Sequence, residues 1–347
     1  MSQVRWAVAG YGAGGRVFHA PLIRDADGIE LVAAVSTNPR RADEARADGL
    51  TAVDDLARLA DLGVDGVTIT TPAGTHADLA HEALDLGLHV VVDKPFATTA
   101  AQAQAIVDHA EQAGLMLSVY QNRRWDGDYL TVRDIVDESG SPVRRFVSAI
   151  QRFRPDLPAW TRDRSSVDGG GVLIDLGSHL IDQTVQLLGP AVSVTAELTV
   201  MRADRVAEDD AIVLIEHAGG ARSSIVPSLY SVGETPRFQV TTDRGGVVID
   251  GFDVQEEQLF AGGTPASLGD DWGREPAERT ARVLHDGTWS ERPLRHGEWT
   301  VFYPAIARAV RDGAPVPVDP QDAVHVAAIF DAARLSSDKG AAVAVAG

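Results

Sequence analysis

The stretch Val4-Arg5-Trp6-Ala7-Val8-Ala9-Gly10-Tyr11-Gly12-Ala13-Gly14-Gly15 decides the fold. Its first six residues read as a strand. Gly10, Gly12 and Gly15 then form G-x-G-x-x-G, with a helix beginning near Gly14. The motif alone is weak in a chain with 33 glycines, and a purely structural turn is the alternative. A strand before it and a helix after it give it mechanical sense. Gly10 permits the tight turn, Gly12 lets the backbone approach a pyrophosphate, and Gly15 lets helix pack on strand. The helix N-terminus presents free N–H groups and partial positive charge to the phosphates.

The same grammar continues outward from this turn. Leu31–Val35, Val64–Thr70, Leu88–Val92 and Leu115–Val119 read as further strands. Helical patterns over Arg40–Arg46, His76–Leu86 and Ala100–Gln112 separate them. Five strands alternating with helices predict βαβ units and a parallel, doubly wound sheet. Beyond Tyr120 the pattern changes. Helical pieces near Leu130–Val136 and Val172–Leu188 accompany strand-like runs at Arg145–Phe153, Val192–Met201, Ala211–Glu216, Ser223–Val226, Arg237–Thr242 and Gly246–Ile249. These predict an α+β unit with a mostly antiparallel sheet. Pro265–Glu278 reads as a loop, and Trp299–Arg311 and Gln321–Leu335 as closing helices. The expected division is an α/β dinucleotide-binding unit over 1–120 and an α+β unit over 121–347, matching the two domains expected of 347 residues.

Composition narrows the function classes. The 31 basic and 50 acidic residues leave a net charge of −19, which repels phosphate backbones and argues against nucleic acid. With 44% hydrophobic residues the chain can bury a sizeable core. The absence of cysteine excludes disulfides, thiolate metal sites and thiol catalysis. No apolar run is long enough to span a bilayer, and the first residues lack the pattern of a signal peptide. A cytoplasmic protein with no membrane partner is the expectation.

The end of the second strand selects the nucleotide. An NAD site places Asp or Glu about 20 residues beyond the third glycine. Here Ser36-Thr37-Asn38 is followed by Arg40 and Arg41. Hydroxyls and guanidinium suit a 2′-phosphate, so NADP is expected and NAD remains possible. In the alternative, both arginines simply start a solvated helix.

Only two of the 31 cations are lysines, Lys94 and Lys339. In a chain that otherwise uses arginine, a lysine inside Val90-Val91-Val92-Asp93-Lys94-Pro95-Phe96 marks a position that needs a compact, titratable amine. It stands at the C-terminal end of a parallel strand, where ligands bind. Desolvation is expected to lower its pKa, with Asp93 opposing. Lys339, in a polar tail, is read as structural.

A second constellation follows Gly169-Gly170-Gly171. Asp175, His179 and Asp182 recur at i, i+4 and i+7 on an otherwise apolar helix and form one polar stripe. Buried polar groups need a partner or a ligand. Acid–base chemistry, a structural hydrogen-bonded pair, or metal ligation each fit. No third metal ligand stands at a suitable spacing, so no metal is expected. Weaker candidates lie on the loops at the same sheet edge: His19, Thr71, Pro72 and His76, Arg124 in Gln121-Asn122-Arg123-Arg124-Trp125, and Arg152, Arg154 and Trp160.

Together these residues resemble the Gfo/Idh/MocA family of glucose–fructose oxidoreductase, inositol dehydrogenase and MocA-like proteins. Asp93-Lys94-Pro95 and the pair Asp175…His179 carry the resemblance, which covers nearly the whole chain. Phe18-His19-Ala20-Pro21, Asn122-Arg123-Arg124-Trp125-Asp126 and Arg152-Phe153-Arg154-Pro155 are similar to its NADP-dependent scyllo-inositol dehydrogenase-like branch. Ile174 departs from an aromatic common before the Asp, and Asp93 from the more general Glu.

The resemblance implies a Rossmann domain followed by an α+β domain whose open sheet joins copies into a homodimer or homotetramer. It implies an NAD(P)-dependent dehydrogenase acting on a CH–OH group of a small polyol, inositol or sugar. By the resemblance Lys94, Asp175 and His179 would be catalytic, Lys94 and His179 handling the substrate hydroxyl proton and Asp175 orienting or assisting. On chemical grounds His179 is the best candidate base, with Lys94 stabilising the developing alkoxide and Asp175 positioning both. Gly10, Tyr11, Gly12, Gly15, Ser36, Thr37, Arg40, Arg41, Thr71, Pro72, His76, Asp93 and Lys94 would hold the cofactor. Lys94, Arg124, Trp160, Asp175 and His179 would meet substrate. Two alternatives use the same cofactor site: an NADPH-dependent reductase of another small molecule, and a non-catalytic NADP-responsive sugar-binding regulator.

Overall fold

The computed structural model describes residues 3–154, 156, 163–233 and 235–346. Two sheets organise them. The first contains β1 (Val4–Ala9), β2 (Ile29–Val35), β3 (Thr51–Val53), β4 (Gly66–Ile69), β5 (His89–Asp93) and β6 (Leu117–Tyr120). All six are parallel, in the order β3-β2-β1-β4-β5-β6. Helices α1 (Ala20–Arg24), α2 (Pro39–Ala47), α3 (His76–Asp85) and α4 (Ala100–Ala113) lie along the connections, and a π turn over Gly14–His19 leads into α1. The chain progresses outward in opposite directions from β1 and β4. Their C-terminal ends therefore flank the crevice where such sheets bind ligands.

Helices cover both faces, which is why β4 and β5 read as unbroken apolar runs. Trp6 is fully buried beneath Gly66, where a Cβ would come within 2.2 Å of the indole. The five expected strands are present within a residue or two of their expected ends. The sixth, β3, was not expected, because three partly exposed edge residues carry no apolar alternation.

The second unit comprises α5 (Gly127–Ser139), β7 (Val143–Gln151), α6 (Val172–Asp175), α7 (Gly177–Leu188), β8 (Ala191–Thr199), β9 (Asp210–His217), β10 (Arg222–Ser228), β11 (Phe238–Thr242) and β12 (Gly245–Ile249). After these come α8 (Gln255–Phe260), α9 (Pro265–Leu268), β13 (Thr280–His285), β14 (Thr288–Pro293), α10 (Phe302–Asp312), α11 (Pro320–Lys339) and β15 (Val343–Ala344). Nine strands run in the order β14-β13-β12-β11-β7-β10-β9-β8-β15, mixed but mostly antiparallel, with β7 and β10 the parallel pair. α7 and α11 cover one face. The other is open, and Ile212 and Leu214 on β9 are 42% and 47% exposed.

Three expectations are corrected here. The single helix over Val172–Leu188 is two helices meeting at Leu176. The loop over Pro265–Glu278 contains α9, started by a Thr264–Ser267 capping box. Strands β13, β14 and β15 went unread, since β14 is almost wholly exposed and β15 has two residues. The closing helices return to the first sheet. α10 packs Phe302 and Ile306 into the shared core, Ser118 donates to Val318 O (2.8 Å), and Ala100 N–H donates to Asp331 (2.9 Å). Among the described residues no helix is long and apolar enough to cross a membrane.

Candidate active site

The glycine turn is built as its spacing requires. Gly10 sits at φ +96° against Thr70, whose hydroxyl donates to Gly10 O (2.7 Å). A Cβ on Gly15 would lie 2.0 Å from Gly10 O, so helix and strand meet at a distance only glycine allows. A Cβ on Gly12 would stand 3.0 Å from the Arg41 guanidinium, which therefore reaches over the turn from α2. Asp93 Oδ2 comes within 3.5 Å of the corresponding position on Gly14, placing the end of β5 at the wall of the same crevice. A cradle free of side chains, with a guanidinium at one end, fits a phosphorylated dinucleotide.

The other expected nucleotide contacts divide. Ser36 and Thr37 lie between β2 and α2, where Ser36 Oγ accepts from Asn38 N–H (3.3 Å). Arg40 is solvated and pairs with Glu44 (3.0 Å). The Tyr11 side chain turns into the fold and donates to Asp48 (2.9 Å), leaving only its backbone in the turn. His76 is buried, with ring nitrogens 2.8 Å from Pro95 O and 2.7 Å from Thr71 O. It ties the loop after β4, with Thr71 and Pro72, to the loop after β5. Burial holds its imidazole below the usual histidine value despite the Asp93 charge.

Lys94 leaves the end of β5 and crosses to the second unit. Its Nζ donates to Asp175 Oδ1 (2.8 Å) and to Asp175 O (3.0 Å). The break at Leu176 explains the second contact. Where helices end, carbonyls seek partners outside the ladder, and the Asp175 carbonyl accepts from Lys94 and from Ser178 Oγ (3.2 Å). The expected lowering of the lysine pKa is corrected. Burial pulls the ammonium down, but the charges of Asp175 and Asp93 outweigh it and hold Lys94 above its ordinary range. In turn Lys94 holds the Asp175 carboxyl below the usual range. Lys94 is thus a fixed cation.

His179 lies on the first turn of α7, 6% exposed, and its Nδ1 is buried without a hydrogen-bond partner among the described residues. Burial, followed by the charges of Lys94, Arg123 and Arg237, pushes its imidazole well below the usual histidine value. No hydrogen bond joins it to Asp175 among the described residues, so Asp175 holds Lys94 and not the ring. The polar stripe also divides. Asp182 receives Arg124 through two bonds (2.8 and 2.6 Å), and Arg124 also reaches Asp322 (2.9 Å). Trp160 lies outside the described residues.

Several groups carry more of the site than the sequence indicated. Arg123, the neighbour of Arg124, pairs with Asp126 (3.1 Å) and Glu256, and its charge acts on Lys94, Asp175 and His179. Glu256 is distant in sequence on a helix of six residues, and no motif announces it. Behind Asp93 runs a buried chain. Trp6 Nε1 donates to Thr68 Oγ1 (2.8 Å), which lies 3.2 Å from Tyr303 OH. That hydroxyl lies 2.6 Å from His19 Nδ1, and His19 Nε2 stands 3.4 Å from Asp93 Oδ2. Asp93 Oδ1 accepts from Lys94 N–H (2.7 Å). The carboxylate that supports the lysine is therefore anchored in the core. Among the described residues there is no cluster of three or more His, Asp or Glu able to hold a metal.

Two family models match the chain: the Gfo/Idh/MocA oxidoreductase family with NAD-binding Rossmann fold over residues 4–121, and the Gfo/Idh/MocA C-terminal domain over 129–248. The chain belongs to the Gfo/Idh/MocA family. It is 31% identical to scyllo-inositol 2-dehydrogenase (NADP(+)) IolW of Bacillus subtilis, over 97% of this chain and 94% of that protein. It is 30% identical to D-xylose 1-dehydrogenase (NADP(+)) 2 of Haloferax volcanii, over 87% and 89%. The solved structure of yvaA from Bacillus subtilis superimposes with a TM-score of 0.92 at 28% identity, covering 99% of each chain. This member of the family is accordingly an NAD(P)-dependent oxidoreductase with a Rossmann domain.

Proposed function

We propose that this family member oxidises, reversibly, a secondary alcohol of a polyol, inositol or sugar, with NADP as hydride acceptor. Residues 1–120 bind the nucleotide, and residues 121–347 provide most of the substrate pocket. The observation that carries the reading is the Lys94–Asp175 contact at the glycine-lined crevice, together with the buried His179, whose imidazole is held well below the usual histidine value by burial and the Lys94 charge. Arg41 over Gly12 supports NADP, as do the two relatives named as NADP(+) dehydrogenases of scyllo-inositol and D-xylose.

When bound, NADP supplies the nicotinamide carbon that takes the hydride. The protein's own share is proton transfer and charge. His179, kept neutral by burial and three nearby cations, accepts the hydroxyl proton. Lys94, kept charged by Asp175 and Asp93, stabilises the negative charge developing on that oxygen. Asp175 fixes the ammonium through two bonds and so acts as a positioning residue. Copies of the chain pair through the open face of the nine-stranded sheet, where Ile212 and Leu214 stand exposed.

The test is a panel of inositols, polyols and sugars incubated with NADP or NAD while the absorbance of reduced nicotinamide is followed. Oxidation of panel members with NADP preferred is the expected result. NADPH consumption by a carbonyl or imine substrate without polyol oxidation favours a reductase of another molecule. Sugar and NADP binding without turnover favours a regulator.

A further inference from the structure

β7 continues past Gln151 as an extended segment pinned against residues 228–231. Arg152 N–H donates to Ser228 O (2.9 Å), Ser231 N–H to Arg152 O (3.2 Å), and Arg154 N–H to Leu229 O (3.0 Å). Phe153 bridges Tyr230. In an extended segment alternate side chains share a face, so Arg152 and Arg154 stand on one side and Phe153 on the other. Arg152 is half-buried, its guanidinium 5.1 Å from the centre of the Phe252 ring. Its charge acts on Asp175 and Glu256, and that of Arg154 acts on Arg152.

Neither guanidinium makes a hydrogen bond or ion pair among the described residues, although carboxylates are close. Those carboxylates are already engaged, Asp175 by Lys94 at 2.8 Å and Glu256 by Arg123. Lys94, Arg123, Arg152 and Arg154 are four cations against three carboxylates around the pocket, Asp93, Asp175 and Glu256, while Asp126 lies buried behind Arg123. The only acids between Arg152 and Arg164 in the sequence are Asp156 and Asp163, and among the described residues no ion pair joins either to Arg152 or Arg154. Arg152 and Arg154 repel one another, and the carboxylates that offset this charge, Glu256 and Asp175, are already hydrogen-bonded to Arg123 and Lys94. Partial burial strips water from one of them and raises that cost. A planar guanidinium with unclaimed donors matches an oxyanion in two-point geometry.

We propose that Arg152, with Arg154 beside it, recognises an oxyanion on the substrate, a carboxylate or a phosphate, remote from the carbon that is oxidised. The preferred substrate is then a sugar acid or sugar phosphate and not the neutral polyol. This rests on the dehydrogenase reading of the same site and narrows it. Lys94, Asp175 and His179 act on the hydroxyl end, and Arg152 sets which molecule is held there.

The test compares D-glucose, D-glucuronate and D-glucose 6-phosphate at constant ionic strength. It uses the full chain with NADP and the variants Arg152→Gln, Arg154→Gln and Arg152→Lys. Oxidation is followed by absorbance, and binding to the NADPH-loaded protein by calorimetry. At least one anionic compound should bind and react about tenfold or more better than D-glucose. That preference should weaken with added salt, disappear in Arg152→Gln and survive in part in Arg152→Lys. Whether the acid or the phosphate is favoured identifies the oxyanion. Arg154→Gln, at an exposed position, keeps the test valid if Arg152→Gln misfolds by circular dichroism, and it should reduce the preference on its own. Oxidation of D-glucose at least as efficient as that of both anions, or an unchanged preference in both Gln variants, overturns the proposal and leaves the dehydrogenase reading standing. Selective anion binding lost in Arg152→Gln, without turnover of any compound here or in the wider polyol panel, upholds the oxyanion site and removes the dehydrogenase.

Discussion

Lys94 Nζ donates to both the carboxylate (2.8 Å) and the backbone carbonyl (3.0 Å) of Asp175, so one ammonium joins the end of β5 to the break between α6 and α7. Each partner explains the other. The carboxylate keeps the amine charged, and the amine satisfies a carbonyl freed where the helix is interrupted. The candidate site's Lys94–Asp175 pair is thus assembled across the two units.

Replacing Lys94 with Met removes the cation and keeps the length of the side chain. Turnover should fall by about 10²–10⁴-fold, the range expected when a positioned charge or proton-transfer partner is lost. Cofactor affinity, followed by NADPH fluorescence, should be largely retained. Retained turnover removes Lys94 from the mechanism.

In the proposed mechanism His179 is the base and must be neutral to act, and burial with the Lys94, Arg123 and Arg237 charges displaces its pKa downward. The acid limb of kcat/KM against pH should therefore lie well below 6.5, with a flat profile through neutrality. In Lys94→Met one of those charges is gone, and the limb of the residual activity should move upward. An acid limb at or above the ordinary histidine value in the wild type excludes His179 as the base.

In the proposed reading, Arg41 is the residue that separates the two nucleotides. Its guanidinium crosses Gly12, so Arg41→Ala should weaken NADP binding by about 10–100-fold, as expected for loss of a charge-assisted phosphate contact, and leave NAD binding nearly unchanged. Titration of both cofactors against both proteins measures it. An equal loss for NAD assigns Arg41 a structural role.

Asp253 predicts a pH dependence of stability. Burial, then the neighbouring Asp128 charge, raise its carboxyl to about 7, although it accepts from Gly127 N–H (2.7 Å) and Gln255 N–H (2.8 Å). Between the usual carboxylate value and about 7 the folded state binds more protons than the unfolded chain, so this group's contribution declines as pH rises through that window. Asp253→Asn removes the titration. Relative to wild type, the variant should gain about 2–3 kcal/mol between pH 5 and pH 8 in urea unfolding. Comparing the two pH values cancels any bond lost by the substitution. Parallel stability curves for the two proteins contradict the assignment.

The sequence by itself determined the parallel sheet and the glycine turn, and it singled out Lys94 at the end of a parallel strand. These are local matters: period-two and period-3.6 apolar patterns, three glycines at fixed spacing, and one lysine among arginines. It also singled out Asp175 and His179, because polar groups on an apolar helix are costly wherever that helix is buried. It left β3, β13, β14 and β15 unread, since short or exposed strands bury too little to leave a pattern. Tertiary structure alone decided that the helix breaks at Leu176, that Asp182 belongs to Arg124, and that Arg123 and Glu256 stand beside Lys94. It also reversed the expected direction of the lysine pKa. That pKa depends on charges within a few ångströms, and the deciding charge, Asp175, lies 81 positions away in the chain. Spacing along a chain does not encode such a distance; only the packing of one sheet's edge against the other unit's helix does.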